Sequence, residues 1–218
     1  MAESLTLLEQ DEGVALLTLN RPEKRNALSR ALRQEIVQRL EQFEKDEAVR
    51  AVVLSGADPA FCAGFDRSEF GGGGEMGEVF AESLEYHRRV YTFAKPLIAA
   101  VNGPALGGGC DLAAMCDFRL ASSTAVFGQP QVRFGAPAAY ELMRAVLGTG
   151  VAREMCLTGR RYDAQEALAI GLVNRVVDPG ELVELATGLG REIATLPDAM
   201  PSVAKQSFLV QQPRIFET

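Results

Sequence analysis

KPLIAAVNGPALGGGCDLAAMCDFRLAS, residues 95–122, carries the fold signal in a single pass. Pro96 opens an apolar run of strand length, LIAAVNG. The glycine run Gly107–Gly109 then starts a helix over CDLAAMC, and FRLAS returns to strand. Strand, tight glycine turn, helix and strand in that order describe one α/β unit. The same alternation extends outward. VALLTLN (14–20) reads as a buried strand, RPEKRNAL as a loop, and Ser29 as the N-cap of an amphipathic helix to about Asp46. AVVLSG (51–56) is a further strand ended by glycine, and FCAGFD (61–66) is a turn. GGGG (71–74) holds regular structure only at high entropic cost, and a helix is predicted from about Met76 to Phe93. Beyond Gly135 the pattern is mostly helical, with one more strand in LVNRVV (172–177). The expected fold class is α/β with largely parallel strands. There is no fixed-period repeat, charge tract or Pro/Ser-rich linker. The expected division is a core over 1–134 and a helical C-terminal region over 135–218.

Composition narrows the function. The 218 residues are 47% hydrophobic and 23% charged, enough for a full core. A net charge of −7 lacks the basic surface that non-specific nucleic-acid binding requires. No apolar run approaches membrane-span length, and MAESLTLLEQDEG has no basic segment followed by an apolar one, as a signal peptide would. Cys62, Cys110, Cys116 and Cys156 form no CxxC pair, so reduced thiols in a cytoplasmic protein are expected.

Two stretches bear chemistry. FCAGFD and NGPALGGGCDLA (102–113) each bring glycine to a turn beside small or apolar residues. Together they can aim two backbone N–H groups at one oxygen, the arrangement that stabilises negative charge on a carbonyl oxygen. The helix opening at Gly107 presents unpartnered N–H groups and the positive end of its dipole. Asp111 follows Gly108 by three residues and so lies on the same face. One helix can then offer a donor and a carboxylate to one cavity, which suits proton transfer next to a carbonyl. Spacing alone equally allows a glycine-rich packing turn with Asp111 as a solvated helix residue.

NRPEKRNAL, AVVLSGADPAFCAGFD, KPLIAAVNGPALGGGCDLAAMCD, FGQP and LTGRRYDAQEALAIGLVNRVV occur in register along the chain. In this the sequence resembles the enoyl-CoA hydratase/isomerase (crotonase) superfamily. The resemblance implies a spiral of repeated ββα units followed by helices, homotrimers or hexamers, and a coenzyme A thioester as substrate, with no permanently bound cofactor and no metal. It implies an oxyanion hole formed by the N–H groups of Phe65 and Gly108, with Asp111 and Gln131 as the catalytic side chains. It places Arg25, Asn26, Ala27 and Leu28 against the adenine and phosphates of CoA, and Ala63 and Asp66 along the pantetheine and acyl path. Leu106 and Gly107 join that substrate-binding set. Independently, an acidic protein that binds an anionic ligand needs local positive charge, which Arg21, Lys24 and Arg25 supply.

The chain departs from the family pattern at the acid–base pair. Family hydratases carry two glutamates; here Asp111 and Gln131 occupy those positions. Asp111 keeps a carboxylate one methylene shorter. Gln131 can orient water but cannot exchange a proton. Tyr140, Glu141, Glu69 and Asp66 are possible replacements, and the sequence leaves the choice open. The stretch after Gly135 is shorter by about three residues, and the chain ends at Thr218, before most of the family's final helices. Three functions are therefore carried forward. The first is hydration of 2-enoyl-CoA. The second is single-base isomerisation or a related thioester reaction such as hydrolysis or decarboxylation. The third is CoA-thioester binding with weakened catalysis. His87, the only histidine, reads as a helix-surface residue, and no GxSxG elbow accompanies it. GTGVAR (148–153) lacks the third glycine of a dinucleotide fingerprint.

Overall fold

The structure is a computed structural model, described over residues 4–70, 76–197 and 200–216. GGGG falls outside those residues. Six strands form the main sheet in the order β1 (Thr6–Asp11), β2 (Val14–Leu19), β3 (Ala51–Gly56), β4 (Leu97–Val101), β6 (Phe118–Ser122), β9 (Arg175–Val177). Only the β1–β2 pair is antiparallel. A smaller sheet orders β5 (Ala105–Leu106), β7 (Val126–Gly128) and β8 (Arg161–Asp163).

The central strands β3 and β4 are apolar over most of their length because the sheet is covered on both faces. Along β3, Val52 and Leu54 enter one core, with Val53 on the opposite face. Along β4, Leu97, Ala99 and Val101 face the first core, while Ile98 and Ala100 face the second. The larger core takes α1 (Arg30–Lys45), through Leu32, Ile36, Leu40 and Phe43, and α3 (Gly108–Met115). The second face is closed by α7 (Leu182–Ala194), through Leu182 and Ala186. Ser29 caps α1 as expected, its Oγ accepting from Leu32 N at 3.2 Å.

Residues 135–218 return to both sheets. β8 pairs with β7, and β9 pairs with β6. α4 (Tyr140–Leu147) and α5 (Thr149–Thr158) precede β8, and the short α6 (Ala164–Ala169), whose N-cap Asp163 forms a capping box with Glu166, links β8 to β9. Of LVNRVV, only Arg175–Val177 is strand, and α2 ends at Tyr91 (Met76–Tyr91) rather than Phe93. Strand β1 is not announced by the sequence. Only Thr6 of it is buried, so an exposed edge strand leaves no apolar pattern; the Glu12-Gly13 turn, both at positive φ, folds it onto β2.

The final helix, α8 (Met200–Gln211), is anchored by a buried lysine. Lys205 Nζ lies 2.8 Å from Asp117 Oδ2 and donates to Lys95 O at 2.8 Å. Removing one member of such a pair leaves the other poorly solvated. Because the Asp117 side chain is 20% exposed, Lys205→Ala is expected to cost about 2 kcal/mol, below the value for a fully buried pair. Denaturant unfolding of the two proteins checks this. No helix of the described residues is long and apolar enough to cross a membrane.

Candidate active site

The FCAGFD turn is held from two sides. On one, Ala63 N donates to Arg25 O, Leu28 N to Gly64 O and Asp66 N to Leu28 O, at 2.8–3.2 Å. On the other, Cys62 N donates to Pro104 O at 3.1 Å and Leu106 N to Cys62 O at 3.0 Å. The loop behind Arg25 is fixed by buried Asn26. Its Oδ1 accepts from Arg21 N at 2.9 Å, and its Nδ2 donates to Ala57 O and Ala60 O at 2.8 and 2.7 Å. Arg25 and Asn26 are left-handed, at φ 49 and 53°, a strained pair that the asparagine bonds hold in place.

This clamp presses the turn against the start of α3. Gly64 sits at φ +96°, and a Cβ added there would lie 2.7 Å from Leu106 O and 3.3 Å from Gly108 N. A Cβ on Gly108 would meet the Phe65 ring at 2.7 Å. Phe65 and Gly108, predicted from separate segments, are therefore adjacent. Gly108 is the first residue of α3, so its N–H has no acceptor within the helix. Gly107 precedes it, its N–H donating to Gly128 O at 2.9 Å.

Asp111 lies one turn further in and is 4% exposed; it is a buried group and not a solvated one. Its Oδ1 accepts from Gln129 Nε2 at 2.7 Å, and Gln129 Oε1 accepts from Gln131 Nε2 at 2.5 Å. Gln131 Oε1 is buried without a hydrogen-bond partner and lies over Gly107, 3.3 Å from where a Cβ would stand. The two glutamines thus form a relay onto the carboxylate. Burial disfavours the charged form and pushes the Asp111 pKa up to about 7, a rise that the Gln129 amide partly opposes. Gln129 was missed in the sequence; it is the amide of FGQP, fully buried beside an apolar strand.

The structure also settles which other acidic groups are engaged elsewhere. Asp66 is paired with Arg21 at 3.1 Å and accepts from Ser68 N and Oγ; burial opposes the lowering of its pKa that these partners produce. Glu69 accepts from Arg30 N at 2.6 Å and pairs with Arg33 at 3.2 Å. Glu141 is exposed on α4 and paired with Arg144 at 2.8 Å. Arg21 is likewise committed, donating to Ala27 O as well as Asp66, which leaves Lys24 and Arg25 as the exposed cations of that loop. Leu28 is fully buried, with its N–H and carbonyl bonded to Gly64 and Asp66, so it presents no group to a ligand, whereas Ala27, Ala63 and Leu106 are half-buried.

One residue is corrected outright. His87 is not on the helix surface. It is 8% exposed, its ring stacked on Phe216 at 5.2 Å and flanked by Phe65 and Tyr86 at 5.7 and 5.3 Å. The cysteines carry no disulfide; burial pushes the Cys62 and Cys116 thiols up to about 12, far from a reactive thiolate.

A family model described as enoyl-CoA hydratase/isomerase matches residues 9–213. The chain belongs to the enoyl-CoA hydratase/isomerase family. Among its relatives is a probable enoyl-CoA hydratase of Rhizobium meliloti, 46% identical over 202 residues that cover 89% of this chain and 78% of that protein. A short-chain-enoyl-CoA hydratase of Clostridium acetobutylicum is 38% identical, over 92% of this chain and 79% of that one. Among solved structures, an enoyl-CoA hydratase of Mycobacterium smegmatis superposes with a TM-score of 0.91 at 34% identity, covering 96% of this chain and 84% of the other. The crotonase fold expected from the motifs is therefore the fold observed. Asp111, one turn into α3, and Gln131, over Gly107, both lie near the helix start that the FCAGFD turn meets.

Proposed function

We propose that this chain hydrates short 2-enoyl-CoA thioesters. The observation that carries this reading is Asp111: a carboxylate buried one helical turn from the Gly108 N–H, with a pKa pushed up to about 7. A base with that pKa is half ionised near neutral pH and can both take and return a proton.

The thioester oxygen lies against the N–H groups of Phe65 and Gly108. Each such donor contributes about 3 kcal/mol once charge develops on the oxygen. Asp111 takes a proton from water as the water oxygen bonds to C3. The C2–C3 π electrons move to the thioester oxygen, giving the enolate. The enolate collapses and C2 takes the proton back from Asp111, which returns to carboxylate. Gln129 holds one carboxylate oxygen in place, and Gln131 steadies Gln129. Lys24, Arg25 and Ala27 meet the nucleotide end of coenzyme A, and Ala63, Asp66, Leu106 and Gly107 border the pantetheine and acyl path. Coenzyme A enters as part of the substrate, and every step runs through this chain's own residues. A cytoplasmic homotrimer or hexamer acting in fatty-acid metabolism completes the proposal, supported by family membership.

The engagement of Asp66, Glu69 and Glu141 elsewhere favours one alternative, single-base isomerisation of 3-enoyl-CoA by Asp111 alone. One assay separates the two. Purified protein is mixed with crotonyl-CoA and the conjugated-thioester absorbance followed; hydration removes the band. With a 3-enoyl-CoA, isomerisation makes the band appear. Appearance of the band without any loss from crotonyl-CoA would replace hydratase by isomerase.

A further inference from the structure

His87 and Asp111 face one another across the α2–α3 contact, and their geometry defines a role that no second glutamate fills here. His87 Nε2 lies 3.9 Å from Asp111 Oδ2. Nδ1 lies 2.6 Å from the carbonyl oxygen of Ser83, an acceptor, so Nδ1 carries the ring proton. In the neutral ring Nε2 is then a bare lone pair. It is buried and makes no hydrogen bond. Asp111 Oδ1 is taken by Gln129, and Oδ2 is the oxygen turned toward His87.

Two acceptors at 3.9 Å cannot bond to each other. They match the two hydrogens of one water. Hydrogen bonds of about 2.8 Å to each would meet at that water at roughly 90°, leaving its oxygen lone pairs turned away from both groups. We propose that His87 is the second water-holding group of this site, taking one hydrogen of the attacking water on Nε2 while Asp111 Oδ2 takes the other. The inference rests on the hydration reading above. In the reaction the Asp111-side O–H breaks and that proton travels to C2 by way of Asp111. The His87-side O–H persists in the new C3 hydroxyl, so His87 ends each turnover as it began and acts as a positioning residue.

The surroundings keep the ring in this state. Phe65, Tyr86 and Phe216 enclose it, Arg33 reaches toward it from α1, and Asp111 faces it from α3. Burial first, and then the positive charge of Arg33, hold the imidazole pKa down to about 4 against the Ser83 bond, so the ring is neutral throughout the range in which Asp111 ionises.

The test uses the full chain and has two arms. His87→Phe keeps a ring for Phe216 and loses the acceptor. It is expected to lower kcat for crotonyl-CoA about 100-fold with KM within about threefold. His87→Gln, whose amide oxygen restores an acceptor, is expected to recover at least tenfold of that loss. A His87→Phe enzyme with at least half the wild-type kcat overturns the proposal, as does a Gln variant no better than Phe. The second arm is independent of activity. Because His87 is the only histidine, imidazole 15N NMR of the wild-type chain reports one ring. The expected result at pH 8 is Nδ1 protonated and Nε2 bare, with the Nε2 signal shifted in Asp111→Asn. A proton on Nε2, or a signal indifferent to Asp111→Asn, overturns it. If wild type fails to hydrate crotonyl-CoA, the reaction assignment fails, and the NMR arm still decides the role of the ring.

Discussion

Asp111→Asn should lower kcat for crotonyl-CoA hydration by about 1,000-fold while the protein stays folded. General acid–base groups contribute about 10²–10⁴-fold, and here a single carboxylate both accepts and returns the proton. Asparagine keeps the shape of the side chain, and its amide oxygen can still accept from Gln129 Nε2. What it loses is the ability to hold a proton. Stability should move the other way. Asp111 has a folded pKa raised to about 7, so the folded state binds its proton more tightly than the unfolded chain does. That contribution is present below the unfolded carboxylate pKa and is lost as pH rises to about 7. Above that pH, Asn removes a buried charge, and the variant should melt no lower than wild type. Steady-state kinetics and thermal unfolding at pH 8 check both halves. A variant with wild-type kcat takes Asp111 out of the mechanism.

Gly109→Ala should damage fold and activity together. A Cβ at this position would stand 2.1 Å from Cys62 O and 2.8 Å from Cys62 Cβ. The clashing atom is backbone of the turn that carries Phe65, so no flexible side-chain end can move aside. Overpacking a tight interior costs about 1–3 kcal/mol, and this site belongs at the upper end. Relief requires α3 and the 61–66 turn to separate. That separation pulls the Gly108 N–H away from the Phe65 N–H, and a misplacement near 1 Å costs about 100-fold in rate. A lowered melting midpoint with at least that loss of kcat is expected. Near-normal melting and rate would show that the two segments are not locked at Cys62–Gly109.

How much of this was legible depended on distance along the chain. The runs in β3, β4 and α1 announced themselves because each is a long periodic or continuous apolar pattern with a cap or glycine at its end. Strands β5, β7 and β8, of two and three residues, are too short to carry a period, and they exist because neighbouring segments are already held side by side. Gly108 and Asp111 were readable since one helical turn links them. Gln129 and His87 were not, because only packing brings them to Asp111. A faint signal existed for His87: Ser83, His87, Val90 and Tyr91 follow the i, i+4, i+7, i+8 stripe of a buried helix face, so its lone imidazole was on the inward side. For the carboxylates the sequence offered Asp66, Glu69 and Glu141 on equal terms, and only the positions of Arg21, Arg33 and Arg144 show that each is held in an ion pair.

The most direct test of the central claim, that Asp111 in its buried setting is the base for enoyl-CoA hydration, is the pH dependence of kcat/KM for crotonyl-CoA between pH 5 and 9. This parameter reports ionisation of the free enzyme. With Asp111 active as carboxylate and its pKa raised to about 7, kcat/KM should climb with pH and level off above that value. A profile flat across the whole range, or one that falls as pH rises through neutrality, would contradict the assignment.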